Sequence, residues 1–402
     1  ALYYPFREDP MTDASDRIPR NKDNDYTKDA AAARRRFAEE KTGADLTHVG
    51  AYSFDPAVLP GNIENFIGAA QVPIGLAGPL VIDGEHAKGA FYVPLATTEG
   101  TLVASYNRGM RLLREAGGVK TTVVERYMQR APVFHFNDAR AARDFGAWVD
   151  ANMSAIRAAA EATTSVGKLS HVQQWSVGPM RYLRFNYTTG DAAGQNMSGK
   201  ATLAACEWIA AHHPGGARFT LSGAIDTDKK HSHMNMLHSR GARVIAEAVS
   251  PDANIRALMG TDAATLFRAR LVSNAGGMLA GTVNNGMHSA NGLTALFIAT
   301  GQDVANIAES HAAITFVEIL PNGDYYWSLT IPSLIVATFG GGTGLPTQRE
   351  CLALLGCAGK GMALKFAEIC AATALAGELS LASAIVAGDW VESHDKYGRN
   401  RK

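Results

Sequence analysis

The sequence predicts an α+β protein: a large mixed α/β domain, interrupted by a ferredoxin-like (split βαβ) insertion and closed by a mobile C-terminal helical flap. Two observations lead there. The chain has 402 residues, 47% of them apolar, which exceeds one ordinary domain and supplies a large core. Between Pro132 and Leu221 the hydrophobic period then changes in the order strand, helix, strand, strand, helix, strand. A third feature, 40 glycines without a collagen period, points to tight loops of the kind that let backbone approach a ligand.

Taken along the chain, Thr27 caps a helical run from Lys28 to Lys41, with Arg35/Glu39 and Arg36/Glu40 at i,i+4, and Gly43 stops it. Residues 51–100 are rich in Gly and Pro. Thr97 or Thr98 then opens a helix to about Arg114, halted by Gly117-Gly118, which places Glu99 at a helix N-terminus. The insertion reads as a strand at Pro132–Phe136 and one long helix from Asp138 to Glu161, with Phe145, Trp148, Val149, Met153 and Ile156 on its 3.6 period. Strands at Lys168–Trp175 and Met180–Tyr187, parted by Gly178-Pro179, a helix at Asn196–His212 and a strand at Arg218–Leu221 complete it. Helical patterns at 234–249, 289–300 and 303–310 follow, then a hairpin from Ile314 to Ile331 turned by Asn322-Gly323, a glycine run at Gly340–Gly344 and two final helices. The expected organisation is an N-terminal helical segment at 1–60, a large domain at 61–131 and 221–380, the inserted domain at 132–220, and the flap at 381–402.

Composition narrows the function. Basic and acidic side chains balance at 38 each, which excludes a nucleic-acid-coating surface. Cys206, Cys351, Cys357 and Cys370 form no CxxC pair and read as core thiols of a cytoplasmic protein. The most membrane-like stretch, Cys370–Gly388, carries Glu378 in its middle, so no membrane partner is expected.

Single motifs carry little. Gly194-Gln-Asn-Met-Ser-Gly199-Lys200 has the spacing of a phosphate-cradling loop, but Ala201 stands where Ser or Thr must ligate Mg²⁺. A glycine loop entering a helix still offers N–H groups and a positive dipole end to a phosphate. His231, His233 and His238 lack the helical i,i+4 pattern of metal ligands, and no metal is expected. Asp228-Lys229-Lys230 alone is a solvated charge cluster, Glu99 a capping carboxylate, Asp303 a helix N-cap and His394 a tail histidine.

Together the segments resemble the hydroxymethylglutaryl-CoA reductase family from about residue 18 to the end. The resemblance rests on Glu64-Asn-Phe-Ile-Gly68, Pro73-Ile-Gly-Leu-Ala-Gly-Pro79, Thr97-Thr-Glu-Gly100, Ser105-Tyr-Asn-Arg-Gly109, Gly190-Asp-Ala-Ala-Gly194, Thr227-Asp-Lys-Lys230, Gly301-Gln-Asp303, Gly340-Gly-Gly-Thr343 and His394. It implies a dimer whose large domain holds an acyl-CoA, whose inserted domain holds a nicotinamide cofactor, and which reduces a thioester twice, to mevalonate and free CoA. By motif, Lys229 is the cation at the carbonyl oxygen, Glu99 the proton donor, Asp303 the carboxylate beside them that raises the Glu99 pKa in a buried site, and His394 the acid that protonates the leaving thiolate. Arg130, Ser222, Asp228 and Lys230 match substrate-holding positions, and His288 and Asn291 active-site positions. Ser105, Asn107, Arg108 and Arg111 match the CoA-side helix. Asp191, Ala193, Gly194, Gln195 and Asn196 match the cofactor loop, with Gln302, Gly341 and Gly342 beside it.

Three departures qualify the resemblance. Ser165 replaces an Arg that pairs with the cofactor's 2′-phosphate in many relatives, so the cofactor implied is NADPH with NADH also admitted, and Lys168 is the substitute cation. Gln195 replaces a Met in the cofactor loop, and Arg268 or Arg270 stands where an active-site Lys is expected. The alternatives to hydroxymethylglutaryl-CoA reduction are the same scaffold acting on another acyl-CoA, and a non-catalytic CoA- or nucleotide-binding relative. A soluble cytoplasmic homodimer or dimer of dimers is expected, without nucleic acid or membrane.

Overall fold

A computed structural model describes residues 17–388. The chain divides into two compact units, one ending at Val72 and the other starting at Pro73. In the first, α1 (Lys28–Thr42) begins at Thr27, whose hydroxyl accepts the Ala30 N–H, and ends at Gly43 in the left-handed region that glycine tolerates. Buried Arg34 ties this unit together by donating to Phe66 O at 2.8 Å and pairing with Asp25 at 3.0 Å. Asp25 is held below the usual carboxylate range by the Asn21 N–H and by arginine.

The second unit is built on a ten-stranded sheet. Its chain runs β1 (Ile74–Gly84), β2 (Lys88–Ala96), α2 (Leu102–Glu115), β3 (Val119–Arg130), β4 (Val133–His135), α3 (Ala139–Ala151), α4 (Met153–Glu161), β5 (Leu169–Val177), β6 (Met180–Tyr187), α5 (Gln195–His212) and β7 (Arg218–Thr220). It continues through α6 (His233–Leu237), β8 (Gly241–Ser250), α7 (Asp252–Met259), α8 (Ala263–Leu279), α9 (Ser289–Thr300), α10 (Ile307–Ser310), β9 (Ile314–Ile319), β10 (Tyr325–Leu334), α11 (Pro346–Leu354) and α12 (Ala363–Ala387). The insertion has the split βαβ arrangement, with strands ordered β7-β4-β6-β5 and antiparallel pairing throughout. It closes its own core around Phe134, Phe145, Leu183, Phe185 and Ile209. The larger core surrounds α12 and includes Tyr106, Leu113, Val244, Trp327 and Phe366.

One strand joins the two cores. Residues Lys120–Tyr127 of β3 pair with β8, and Met128–Arg130 of the same strand pair with β6. The chain returns from β7 to β8 through the 221–240 segment, where much of the site lies.

Three expectations need correction. The helix expected from Thr97 starts at Leu102, with Thr101 at φ 73° before it, so Glu99 lies in the preceding loop. The helix expected over Asp138–Glu161 breaks at Asn152, whose side chain donates to Trp148 O at 2.8 Å and ends α3. The helix expected over 234–249 is only α6, followed by strand β8. Within β8, Ala242, Val244, Ala246 and Ala248 alternate into the core, and pairing on both sides with β3 and β10 overrides the helix preference of alanine.

Helix α12 is long and apolar enough to cross a membrane by length and composition, and 83% of its apolar window is buried inside the protein. It packs tightly against α2, where a Cβ on Gly109 would lie 1.8 Å from Ala376 O. Two carboxylates inside α12 accept backbone N–H groups from distant turns. Glu368 takes those of Glu85, His86 and Ala87, and Glu378 takes those of Met287, His288 and Ser289. All four cysteines are buried.

Candidate active site

The segment 222–230 places its side chains through an unusual backbone. Ala224, Thr227 and Lys229 all have positive φ, and such residues cost of order 1–3 kcal/mol each and persist only where their surroundings over-determine them. Part of the constraint is buried Asn235, which donates to Thr227 O at 3.2 Å and to Lys230 O at 2.7 Å and accepts the Thr227 hydroxyl. Lys229 Nζ reaches Asp303 Oδ2 at 2.9 Å. Asp303 caps the short 3-10 turn after α9 through the Ala305 N–H, which leaves its second oxygen for the lysine. That carboxylate holds the Lys229 ammonium above the ordinary lysine value, so it is charged at neutral pH.

Around this pair, Asp226 is buried and accepts both Arg130 NH1 and Ser222 Oγ at 3.0 Å. Asp228 is held by buried Arg240 at 2.6 Å, and Lys230 Nζ donates back to Asp228 O at 3.0 Å. Sequence reasoning singled out Arg130, Ser222, Asp228 and Lys230 but missed Asp226, although it lies in the same polar run. It also missed Glu309 and Arg240, which gave no signal beyond their place in predicted helices.

A second cluster forms where α9 begins. Asn291 Nδ2 lies 3.3 Å from Glu99 Oε1 and 3.3 Å from His288 Nδ1, and His288 Nε2 lies 3.3 Å from Ser105 Oγ. Ser105 donates to Ser380 Oγ, and Arg108 donates to Ser380 O at 2.7 Å. Asn107 accepts the Gly78 N–H at 3.0 Å, and Arg111 is exposed. Because the Asn291 amide donates to Nδ1, His288 must be the neutral Nε2–H tautomer. Protonation would set two donors face to face. Burial also pushes the imidazole down to about 4. A base depressed in the folded state keeps its full stability above its unfolded value near 6.5 and loses it as pH falls toward 4. Stability should therefore fall by up to about 3 kcal/mol over that window, and His288→Gln should remove that part of the slope in urea titrations. An NMR-observed His288 pKa near 6.5 in the folded protein would contradict the account.

On the insertion, Gly194 in the left-handed region ends the 190–194 loop and starts α5. Residues 195–198 between its two glycines are thus helical and form no loop, which with Ala201 in place of Ser or Thr removes the nucleotide-hydrolysing reading of that motif. Asp191 accepts the Ala363 N–H at 3.2 Å, Gln195 Nε2 donates to Asn306 at 2.9 Å, Ala193 is half-buried and Asn196 is exposed. The Gln302 amide is committed to Ala337, donating to its O at 3.0 Å and accepting its N–H at 2.7 Å. Gly342 meets Gly301 so closely that a Cβ on Gly301 would lie 2.3 Å from Gly342 O, and Gly341 opens the adjoining 3-10 turn. The first N–H groups of the 18-residue α5 lack intrahelical partners and form its positive dipole end, a donor set suited to an anionic phosphate.

The structure thus gathers Lys229 with Asp303, and Glu99 with Asn291 and His288. Among the described residues, no hydrogen bond or ion pair joins Glu99 to Lys229 or Asp303 within one chain. Glu99 is exposed, so the buried carboxylate pair expected from the sequence is not formed in the monomer. His394 lies outside the described residues. The histidine triplet is dispersed: His231 packs against His311, and His238 bonds Gln173.

The family model described as hydroxymethylglutaryl-coenzyme A reductase matches residues 30–399. The chain belongs to this family. Similar relatives include the 3-hydroxy-3-methylglutaryl-coenzyme A reductase of Pyrococcus abyssi, 45% identical over 92% of this chain and 93% of its own. That of Haloferax volcanii is 41% identical over 92% and 93%. Among solved structures, a class II reductase from Streptococcus pneumoniae bound to NADPH matches with a TM-score of 0.67 at 20% identity, over 89% of this chain and 94% of that one. The reductase family converts hydroxymethylglutaryl-CoA to mevalonate, and this member is an oxidoreductase. Two departures from the reductase pattern now have positions. Arg270 is buried over the Trp327 ring and donates to Asn285 O at 2.7 Å, which leaves Arg268 as the exposed arginine. Exposed Ser165 lies in the 163–168 loop, and Lys168 at its end pairs with Glu161 at 3.1 Å.

Proposed function

We propose that this chain reduces the hydroxymethylglutaryl thioester in two steps, to mevalonate and free CoA, consuming two nicotinamide cofactors. The observation that carries the reading is the Lys229–Asp303 pair, an ammonium on a left-handed residue held by a carboxylate in a solvent-reachable position. When bound, the nicotinamide supplies hydride to the carbonyl carbon. Lys229 neutralises the charge that develops on the carbonyl oxygen, and Asp303 keeps it protonated between turnovers. Glu99 delivers the proton that converts carbonyl oxygen to hydroxyl, and His394 protonates the departing thiolate so that it does not add back. Arg130 and Lys230 meet the substrate carboxylate, with Ser222 and Asp228 beside them. Ser105, Asn107, Arg108 and Arg111 line the CoA side.

In this reading residues 132–220 receive the cofactor, residues 73–131 and 221–380 the acyl-CoA, and the segment that follows α12 closes over both. A homodimer completes the site, because Glu99 and Lys229 are not joined within one chain, and the protein works in the cytoplasm. With Lys168 already paired to Glu161, recognition of a 2′-phosphate is weak, so NADPH and NADH are both used.

The test is the absorbance decay of NADPH and of NADH, run side by side with the glutaryl thioester and with free thiol followed in parallel. Two cofactors oxidised per thiol released is the expected result. No oxidation with either cofactor in folded protein would refute the reading, as would a monomer that stays fully active on dilution.

A further inference from the structure

Beneath Lys229 lies a buried carboxylate with no role in the chemistry above. Glu309, on α10, is fully buried. Its Oε1 accepts the Lys229 backbone N–H at 3.1 Å, Asn306 Nδ2 at 3.2 Å and Arg240 Nε at 3.4 Å. Its Oε2 is buried without a hydrogen-bond partner among the described residues. Arg240, also fully buried, spans from Glu309 to Asp228, donates NH1 to Gln129 O at 3.1 Å, and has its own N–H held by Ser333.

The geometry points to Glu309 as a positioning residue for Lys229, one that holds the lysine's main chain in its left-handed conformation so that the ammonium stands at Asp303. This rests on the assignment of Lys229 given above. The Lys229–Asp303 pair has side chains about as exposed as surface ion pairs, 43% and 46%, and such pairs fix geometry poorly. The constraint must come from the backbone, where φ is 55° on a residue with a Cβ. The segment 303–310 grips the lysine at both ends, with Asp303 on Nζ and Glu309 on N. Through Arg240 the same carboxylate also fixes Asp228, the residue before it. Burying a carboxylate is costly, and leaving one of its oxygens unpaired more so. The N–H that Glu309 serves belongs to the residue whose ammonium meets the carbonyl oxygen.

Loss of the carboxylate releases the lysine backbone. A displacement of about 1 Å is enough to cost on the order of 100-fold in turnover. Glu309→Ala is expected to lower kcat by that order with KM little changed. Glu309→Gln, which keeps an acceptor oxygen, should recover most of the loss. Peptide mapping after limited amine acylation should show Lys229 modified severalfold faster relative to Lys230 in E309A, and not in E309Q. The double variant Lys229→Met with E309A should turn over no more slowly than K229M alone. Should E309A fail to fold, Glu309→Asp, which withdraws the carboxylate by one methylene, is read the same way. Folded E309A or E309D with wild-type kcat and unchanged Lys229 labelling would overturn the proposal, as would a double variant far slower than K229M. If K229M itself kept wild-type turnover, the assignment of Lys229 would fail, a result distinct from failure of Glu309.

Discussion

Replacing Lys229 by methionine is expected to lower kcat by about 10²–10³-fold, the loss seen when one preorganised donor is removed from a developing oxyanion. Methionine keeps an unbranched stem of similar length, so the left-handed backbone and its bonds to Asn235 and Glu309 have no reason to change. What disappears is the cation at 2.9 Å from Asp303. The thioester KM should move little, because Arg130 and Lys230 remain to meet the substrate carboxylate. Steady-state kinetics of K229M with thioester and cofactor varied separately check this. A K229M enzyme impaired mainly in KM would mean the ammonium binds the ground state rather than the transition state.

Truncating Glu378 to alanine should produce the largest stability loss of any single change near the site, at least about 3 kcal/mol. Glu378 is fully buried in α12 and accepts the N–H groups of Met287, His288 and Ser289 at 2.6–2.8 Å. These are the donors at the start of α9 that no intrahelical carbonyl can take. Alanine would leave all three dry and unpaired and would add a cavity. Glu378→Gln retains one acceptor oxygen and should cost much less. Urea unfolding of the two variants separates these outcomes, and equal stability of E378A and the parent would show that the amides find water instead. Because His288 and Asn291 ride on this helix start, E378A should also disturb the contacts of Glu99.

Much of this architecture was legible in the sequence where a single period dominates. The insertion declares itself because Phe145, Val149 and Ile156 keep a helical stripe while Leu183, Phe185 and Tyr187 alternate inward. The hairpin of β9 and β10 was marked by Asn322-Gly323. Strand β8 was hidden because small residues suit helix and strand alike, and only partners on both sides decide. The pair β1 and β2, strand β3 and helices α7 and α8 went unassigned. In the site, no local rule brings Lys229 to Asp303; that adjacency followed from the family resemblance. Asp226, Glu309 and Arg240 stayed hidden for a different reason. A charged residue's burial depends on partners far along the chain, and nothing in its own neighbourhood records it.

Strand β3 shifts register between Val123 and Glu125 but keeps a ladder on either side, to β8 and then to β6. The outgoing crossing between the two cores is therefore held by main-chain hydrogen bonds along most of its length. The return crossing at 221–240 owes its shape to side-chain braces rather than to a ladder. The return path is therefore the less constrained of the two crossings. The two cores are thus tied by one crossing built of ladder hydrogen bonds and one built of side-chain contacts, and Lys229 sits on the second.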